Sequence, residues 1–373
     1  MRVLITTPDM NYKGGVTNYY QCLMLNEQAG IDYIYVNSFA TSPESKFSIS
    51  RNLLVFKKII NLSLIYLKFL LSLPSYQLVH VNPSLNSKAF FRDAVFIVLS
   101  KLMRKKVIVF IHGWEDGFEE KLRKSRLLSL FFKYSYGKAD AYIVLGSIFK
   151  EKIISLGVDP HKRIYIETTI ADSRYIADLD IDEKIQSFEK EVNILFISRI
   201  LKSKGIYIAM DACSSCSEKV PDRKVTLFVA GDGEELERAK EYVDTNNLHN
   251  VEFIGFVKDG MRNDILKKCH IMIFPTYYGE GLPSSIVEGM LYGMPIISRP
   301  MGGIPDIVSQ GVNGYLSESL DSRVYENYCL QLVENKELYD QMARKNYAKA
   351  KKLFVTEAVK ERLLGIYNAV LSN

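Results

Sequence analysis

The sequence predicts an α/β protein built from two Rossmann-like domains whose parallel sheets face a central cleft. Three observations carry that expectation. The chain has 373 residues, enough for about two domains of ordinary size. Short apolar runs of strand length alternate with longer helix-like runs, the pattern of parallel sheets with helices on both faces. The alternation stops between residues 171 and 191, in an acidic stretch without a buried strand, and then restarts.

In the first half the strand-like runs are Arg2–Thr6, Asp32–Asn37, Leu78–Val81, Lys106–His112, Ala141–Leu145 and Arg163–Ile166. Between them lie helix-like runs at Val16–Gln28, Leu53–Leu73, Lys88–Met103, Glu119–Tyr136 and Ser147–Ser155. The second half repeats the alternation, with strands at Asn193–Ser198, Val225–Ala230, Val251–Gly255, Ile271–Pro275, Pro295–Ser298 and Gly314–Leu316. Its helices are expected at Gly205–Ser217, Glu234–Asn246, Met261–Cys269, Ser284–Tyr292 and Ser322–Glu334, with two or more in the tail from Glu337 to Ser372. The expected division is therefore a first domain over 1–170, a linker over 171–191 and a second domain over 192–352. A C-terminal helix over 353–373 is expected to pack back on the first domain.

Composition narrows the class. Hydrophobic residues make up 47% and charged residues 24%, as in a soluble globular protein, which excludes wholesale disorder. Five spread cysteines point to a reducing compartment. The opening apolar run ends at Pro8 and Asp9, so no signal peptide is expected, and Lys57, Lys58 and Lys68 interrupt the best membrane-span candidate. Charge is unevenly shared. Residues 1–170 carry 23 basic and 13 acidic side chains, a net +10, whereas the remainder nets −5. The basic residues cluster at Lys101, Arg104, Lys105 and Lys106, and again at Lys121, Arg123, Lys124 and Arg126, which run straight into Leu127, Leu128, Leu130, Phe131 and Phe132. Such interleaving fits either an anionic membrane surface or a solvated helix face beside a core stripe. No nucleic-acid-binding signature accompanies it, so no nucleic-acid partner is expected.

In open parallel sheets ligands bind beyond the carboxyl ends of the strands, so the residues just after each strand matter most. After the first strand, Gly14 and Gly15 open a helix and let backbone N–H groups approach an anion, although Gly-Gly is also an ordinary turn. His112 follows the fourth strand, beside the chain's only tryptophan, Trp114. Arg199 ends the first strand of the second half and Lys204 begins the next helix, a pair of cations suited to a diphosphate. Gly231, in Gly231-Asp232-Gly233, marks a tight strand-to-helix turn. The densest stretch is Glu280-Gly281-Leu282-Pro283-Ser284 with Glu288 beyond it. A loop carboxylate, a helix start rich in free N–H groups and a second carboxylate could together hold a ligand with an anionic middle and hydroxyls at both ends. Two motifs are discounted. Asp178-Leu179-Asp180 lies in the expected linker, and Cys213-Ser214-Ser215-Cys216 lacks the second pair that a zinc site needs.

Taken together, these segments resemble the retaining glycosyltransferases of the GT-B fold, the group often called family 4, whose signature is E-x7-E. Glu280 and Glu288 have that spacing, and Arg199 and Lys204 match the R-x4-K element. Gly14 and Gly15 match its N-terminal glycine loop, and His112 its first-domain active-site histidine. Gly302-Gly303-Ile304-Pro305-Asp306 resembles the G-G-x-P-E element, with Asp306 where Glu is usual. The likeness is specific over 192–316. One departure stands near the hinge, where Glu167-Thr168-Thr169-Ile170-Ala171-Asp172 replaces the usual Asn-Gly-Val-Asp.

The resemblance implies a nucleotide-sugar donor held by the second domain and an acceptor held by the first. It implies catalytic roles for His112, Glu280, Arg199 and Lys204. Donor contacts would come from Gly14, Gly15, Arg199, Lys204, Gly231, Glu280, Gly281, Leu282, Pro283, Ser284 and Glu288. No metal or other cofactor is expected. The implied function is transfer of a sugar to a glycan acceptor, lipid-linked, in cell-surface polysaccharide or lipopolysaccharide synthesis. That places the protein in the cytoplasm, peripheral on the inner face of the membrane. A soluble enzyme making a storage or small-molecule glycoside, and a non-catalytic sugar-nucleotide-binding protein, are the alternatives.

Overall fold

A computed structural model of the chain describes residues 1–11, 14–23, 30–36, 51–174, 176 and 179–372. They form two compact units, Met1–Glu167 with Lys360–Asn373, and Thr168–Val359.

The first unit runs β1 (Val3–Thr7), α1 (Gly15–Leu23), β2 (Ile31–Tyr35), α2 (Arg51–Ser72), β3 (Leu78–Val81), β4 (Ser84–Leu85), α3 (Ser87–Leu102), β5 (Lys106–Ile111) and β6 (Gly113–Trp114). It continues with α4 (Asp116–Lys124), α5 (Arg126–Tyr134), β7 (Ala141–Val144), α6 (Ser147–Ser155) and β8 (Arg163–Ile166). Its main sheet is parallel throughout, in the order β2-β1-β3-β5-β7-β8. The central strands β1, β3, β5 and β7 are buried on both faces, as helix-covered strands must be, and Val3, Ile5, Val79 and Ile108 are wholly buried. The single helix expected over Glu119–Tyr136 is two. Ser125 ends α4 in an extended conformation and caps α5 by accepting from the Leu128 N–H. That serine lay inside an otherwise periodic run, which hid the break.

The second unit contains α7 (Ile181–Ser187), β9 (Val192–Ile197), α8 (Ile206–Lys219), β10 (Val225–Ala230), α9 (Leu236–Thr245), β11 (Val251–Gly255), α10 (Asp259–Lys268) and β12 (Ile271–Phe274). It goes on through α11 (Ser284–Leu291), β13 (Ile296–Ser298), α12 (Ile304–Ile307), β14 (Gly314–Leu316), α13 (Ser322–Glu334) and α14 (Lys336–Leu353). Its sheet is also parallel, in the order β11-β10-β9-β12-β13-β14. The last helix, α15 (Thr356–Leu371), begins in this unit and belongs to the first from Lys360 onward.

From Asp180 onward the expected linker 171–191 is folded into the second unit. Asp180 caps α7 by accepting from the Asp182 and Glu183 N–H groups, and Ile185 and Phe188 are buried. Its acidic surface masked a short helix too brief to show periodicity. Asp180 is thus spent on a cap, and Asp182 pairs with Arg344 at 2.5 Å. All five cysteines are buried as reduced thiols. Among the described residues no helix is long and apolar enough to cross a membrane.

Candidate functional site

Strand order singles out one place in each sheet. In the second unit the order reverses direction between β9 and β12, and the loops following those two strands flank the switch point, where open α/β sheets hold ligands. The β9 loop carries Arg199 and Lys204. The β12 loop carries Glu280. The expected cations and carboxylate are therefore brought together by topology.

Lys204 is 6% exposed, and its ammonium pairs with Glu280 Oε1. Thr276 Oγ1 donates to the same carboxylate oxygen at 3.0 Å. The Tyr278 ring lies 4.2 Å from Lys204 Nζ and 5.6 Å from the Arg199 guanidinium. Arg199 itself is exposed and pairs with no carboxylate among the described residues. Among the described residues, an incoming anion thus meets a cation without a carboxylate partner and one that must exchange its carboxylate.

Glycines let these loops approach closely. Gly231 has φ +146°, and a Cβ there would lie 1.8 Å from the Ser198 carbonyl oxygen. The Ile200 N–H donates to the Asp232 carbonyl at 2.9 Å, so the Gly231 turn buttresses the Arg199 loop. Gly302 supports the other loop. Its φ is +56°, and a Cβ would meet the Gly281 and Glu280 carbonyl oxygens at 2.2 and 2.3 Å. The Gly303 N–H donates to the Gly281 carbonyl at 2.7 Å.

Pro283 caps α11 from an extended conformation and Ser284 is its first residue, so the helix's first N–H groups lack intrahelical partners. Leu282 is buried beneath the loop. Glu288, one and a half turns along, is 5% exposed. Burial pushes its carboxyl up, and Arg262 on α10 opposes that. Arg262 Nε donates to Glu288 Oε2 at 2.9 Å and its Nη2 to the same oxygen. Oε1 receives no donor from the described residues, so one oxygen is left for a ligand hydroxyl.

In the first unit the order reverses between β1 and β3. Gly14 and Gly15 follow β1, and neither has a positive φ or any atom within 4 Å of a hypothetical Cβ. The fold itself does not demand glycine there. His112 follows β5, and burial holds its imidazole down to about 3. Its Nε2 lies 3.0 Å from Asn82 Oδ1, just past the end of β3. Two buried hydroxyls on either side of Gly14 and Gly15 in the chain, Thr7 Oγ1 and Tyr19 OH, have no hydrogen-bond partner among the described residues. Trp114 has a packing role: it is buried, and its indole N–H donates to Glu119 Oε2 at 2.6 Å. Glu167, in the stretch that departs from the resembling family's Asn-Gly-Val-Asp, is buried and paired with Arg362 of α15 at 2.9 Å.

Sequence reasoning missed Arg262, Tyr278 and Asn82. Asn82 could have been found by the same strand-end rule that found His112. Arg262 sits on an ordinary-looking surface helix and gave no signal.

Residues 178–349 match the family model described as glycosyl transferases group 1. An uncharacterized glycosyltransferase of Methanocaldococcus jannaschii is 28% identical over 282 residues, covering 72% of this chain and 69% of that protein. The putative colanic acid biosynthesis glycosyltransferase WcaL of Salmonella typhimurium is 22% identical over 230 residues, covering 60% of this chain and 54% of that protein. The crystal structure of Anabaena HepE in complex with UDP superimposes with a TM-score of 0.73 at 17% identity, over 99% of this chain and 100% of that one. The architecture is therefore GT-B, and the stretch that matches the glycosyl transferases group 1 model lies within the second unit.

Proposed function

We propose that this chain is a retaining glycosyltransferase that moves a sugar from a nucleotide diphosphate donor to a glycan acceptor. The observation that carries the reading is the convergence of Lys204 and Glu280, beside Arg199, at the switch point of the second sheet. In this reading Arg199 and Lys204 neutralise the diphosphate as it leaves, helped by the N–H groups at Ser284. Glu280, released from Lys204 by the incoming phosphate, takes hydroxyls of the donor sugar, and Glu288 Oε1 takes a ribose hydroxyl. The loop Gly281-Leu282-Pro283 and the turn at Gly231 shape the seat, and Gly14 and Gly15 leave room for the ligand's approach. His112 meets the transferring sugar. The leaving phosphate oxygen helps take the acceptor's proton on the attacked face, so the anomeric configuration is kept, and no metal is invoked. Most of the catalytic effect is positioning plus stabilisation of leaving-group charge.

UDP in the HepE complex makes uridine diphosphate sugars the first donors to test, alongside GDP- and ADP-sugars. WcaL, a relative named as a putative colanic acid biosynthesis glycosyltransferase, supports a polysaccharide acceptor, which in this reading is a cell-surface glycan, lipid-linked and met at the inner face of the membrane. A donor that binds only the folded chain must raise its melting temperature, so a thermal-shift screen identifies the nucleotide. With that donor, Glu280→Gln is expected to lose transfer by at least two orders of magnitude while keeping nucleotide affinity within a few-fold. Full activity in that variant would remove Glu280 from the reaction.

A further inference from the structure

Behind His112 lies a set of buried polar groups that the proposed reaction does not call on directly. Asn82 extends β3, Tyr20 comes from α1, His80 from within β3, and Tyr367 from the part of α15 that belongs to the first unit. Asn82 is 6% exposed, Tyr20 1%, and His80 and Tyr367 are wholly buried. Their hydrogen bonds can be directed by elimination. One end of the Asn82 amide is 2.8 Å from the Thr6 carbonyl oxygen, which only accepts, so that end is the nitrogen. The other end is then Oδ1, also an acceptor only. Tyr20 O–H donates to it at 2.8 Å, and His112 Nε2 lies 3.0 Å away. His112 Nε2 must carry a proton.

The same logic runs onward. Tyr20 has spent its single proton, so at 3.3 Å it accepts from His80 Nε2. His80 Nδ1 is then bare and accepts the Tyr367 hydroxyl proton at 2.6 Å. Burial disfavours the imidazolium form of both rings. A neutral imidazole with its proton on Nε2 has a lone pair on Nδ1. Among the described residues nothing donates to that atom in His112.

We propose that His112 meets its substrate only as a hydrogen-bond acceptor, through Nδ1, because Asn82 locks its proton on Nε2. The inference rests on the transferase reading for what the ligand is, but the tautomer stands on the first unit alone. It sets a specificity. The group seated at His112 must bring its own proton, so a sugar hydroxyl or an amide N–H is accepted. A carboxylate or phosphate oxygen would face a lone pair with no proton between them and is rejected. Asn82 is a positioning residue, and Tyr20, His80 and Tyr367 hold Asn82 in turn.

The test is made on the full chain, labelled with 15N-histidine and without ligand, with the His112 signals assigned by their loss in His112→Gln. Long-range 1H–15N spectra are expected to show His112 as one neutral tautomer with Nε2 protonated, unchanged between pH 6 and 8. A proton on Nδ1, an averaged ring or an imidazolium at neutral pH overturns the proposal whether or not the chain transfers sugar. Asn82→Ala is expected to give averaged His112 nitrogen shifts, and an unchanged single tautomer there would remove Asn82 from its role. Once a donor is in hand, Asn82→Ala is expected to lower kcat/KM at least tenfold for that donor. The loss should be smaller for the donor's deoxy analogue lacking the hydroxyl seated at His112, and equal losses would count against the acceptor role. If no donor is found, the transferase reading fails while the tautomer result stands.

Discussion

Tyr278 lies beside two like charges. Arg199 and Lys204 repel each other, yet both approach its ring, at 5.6 and 4.2 Å from the centroid. The ring's negative face offsets part of that repulsion, by about 0.5–2 kcal/mol per cation depending on solvation. Tyr278→Leu is therefore expected to weaken donor binding roughly two- to thirtyfold, read by calorimetry with the matching nucleotide sugar. Tyr278→Phe keeps the ring and should stay near wild type. Equal losses in both variants would assign the effect to the hydroxyl instead. At this scale the sequence was partly transparent. The spacing of Glu280 and Glu288, and of Arg199 and Lys204, is visible because each pair sits at a fixed offset around one strand end. Tyr278 and Arg262 were opaque because their roles depend on which side of a loop or helix they occupy. Only the fold decides that.

Elements set the frame in which those side chains work. The loop holding Glu280 is fixed less by its own residues than by Gly302, whose missing Cβ admits the carbonyls of Glu280 and Gly281. Gly302→Ala adds a methyl where neither backbone nor φ allows one, so a loss of about 1–3 kcal/mol in stability is expected. Transfer should fall further than nucleotide binding, because it is the carboxylate loop that moves. An unshifted melting temperature with full activity would contradict this. Helix α7 offers a separate test. Burial pushes its Lys184 ammonium down to about 7, and the side chain donates to the Leu266 carbonyl at 2.7 Å. The unfolded chain keeps that lysine protonated to about pH 10.4, so between the two values it binds the extra proton. Stability should thus rise with pH across that window, by up to about 1.4 kcal/mol per unit from this group. Lys184→Met is expected to stabilise the protein at pH 7 and to flatten the slope, measured by denaturant titration at pH 7, 8 and 9. That a helix occupies 181–187 at all was hidden in the sequence, since seven residues show no periodicity and the flanking acids suggested solvent. The main-sheet strands among the described residues, by contrast, were legible, because parallel strands are short apolar runs with turn residues at both ends.

At the scale of the whole molecule, the question is what the basic first unit is for. Its residues 1–170 carry a net +10, and that charge accompanies exposed apolar surface. On α2, Phe56, Ile60, Leu64, Leu67 and Leu71 are exposed in a stripe three or four residues apart, with Lys57 and Lys68 alongside. The neighbouring helices continue it. Tyr66 of α2 donates to the Arg92 carbonyl of α3, Phe91 of α3 contacts Phe131 of α5 at 5.2 Å, and Leu102 and Leu127 stand 74% and 80% exposed. A solvated helix face would not leave so many large apolar side chains in water at about 25 cal/mol per Å². In the function proposed above, an anionic bilayer would cover them, each nearby cation adding about 1 kcal/mol. The chain is therefore expected to co-sediment with vesicles containing phosphatidylglycerol at low salt, and less so as screening grows. Replacing Leu67, Leu71 and Leu127 together by Glu should release it while leaving transfer to a water-soluble acceptor intact. Binding equally well to neutral vesicles would show that the charge is not the determinant, and no binding at low salt would leave the apolar stripe to some other partner.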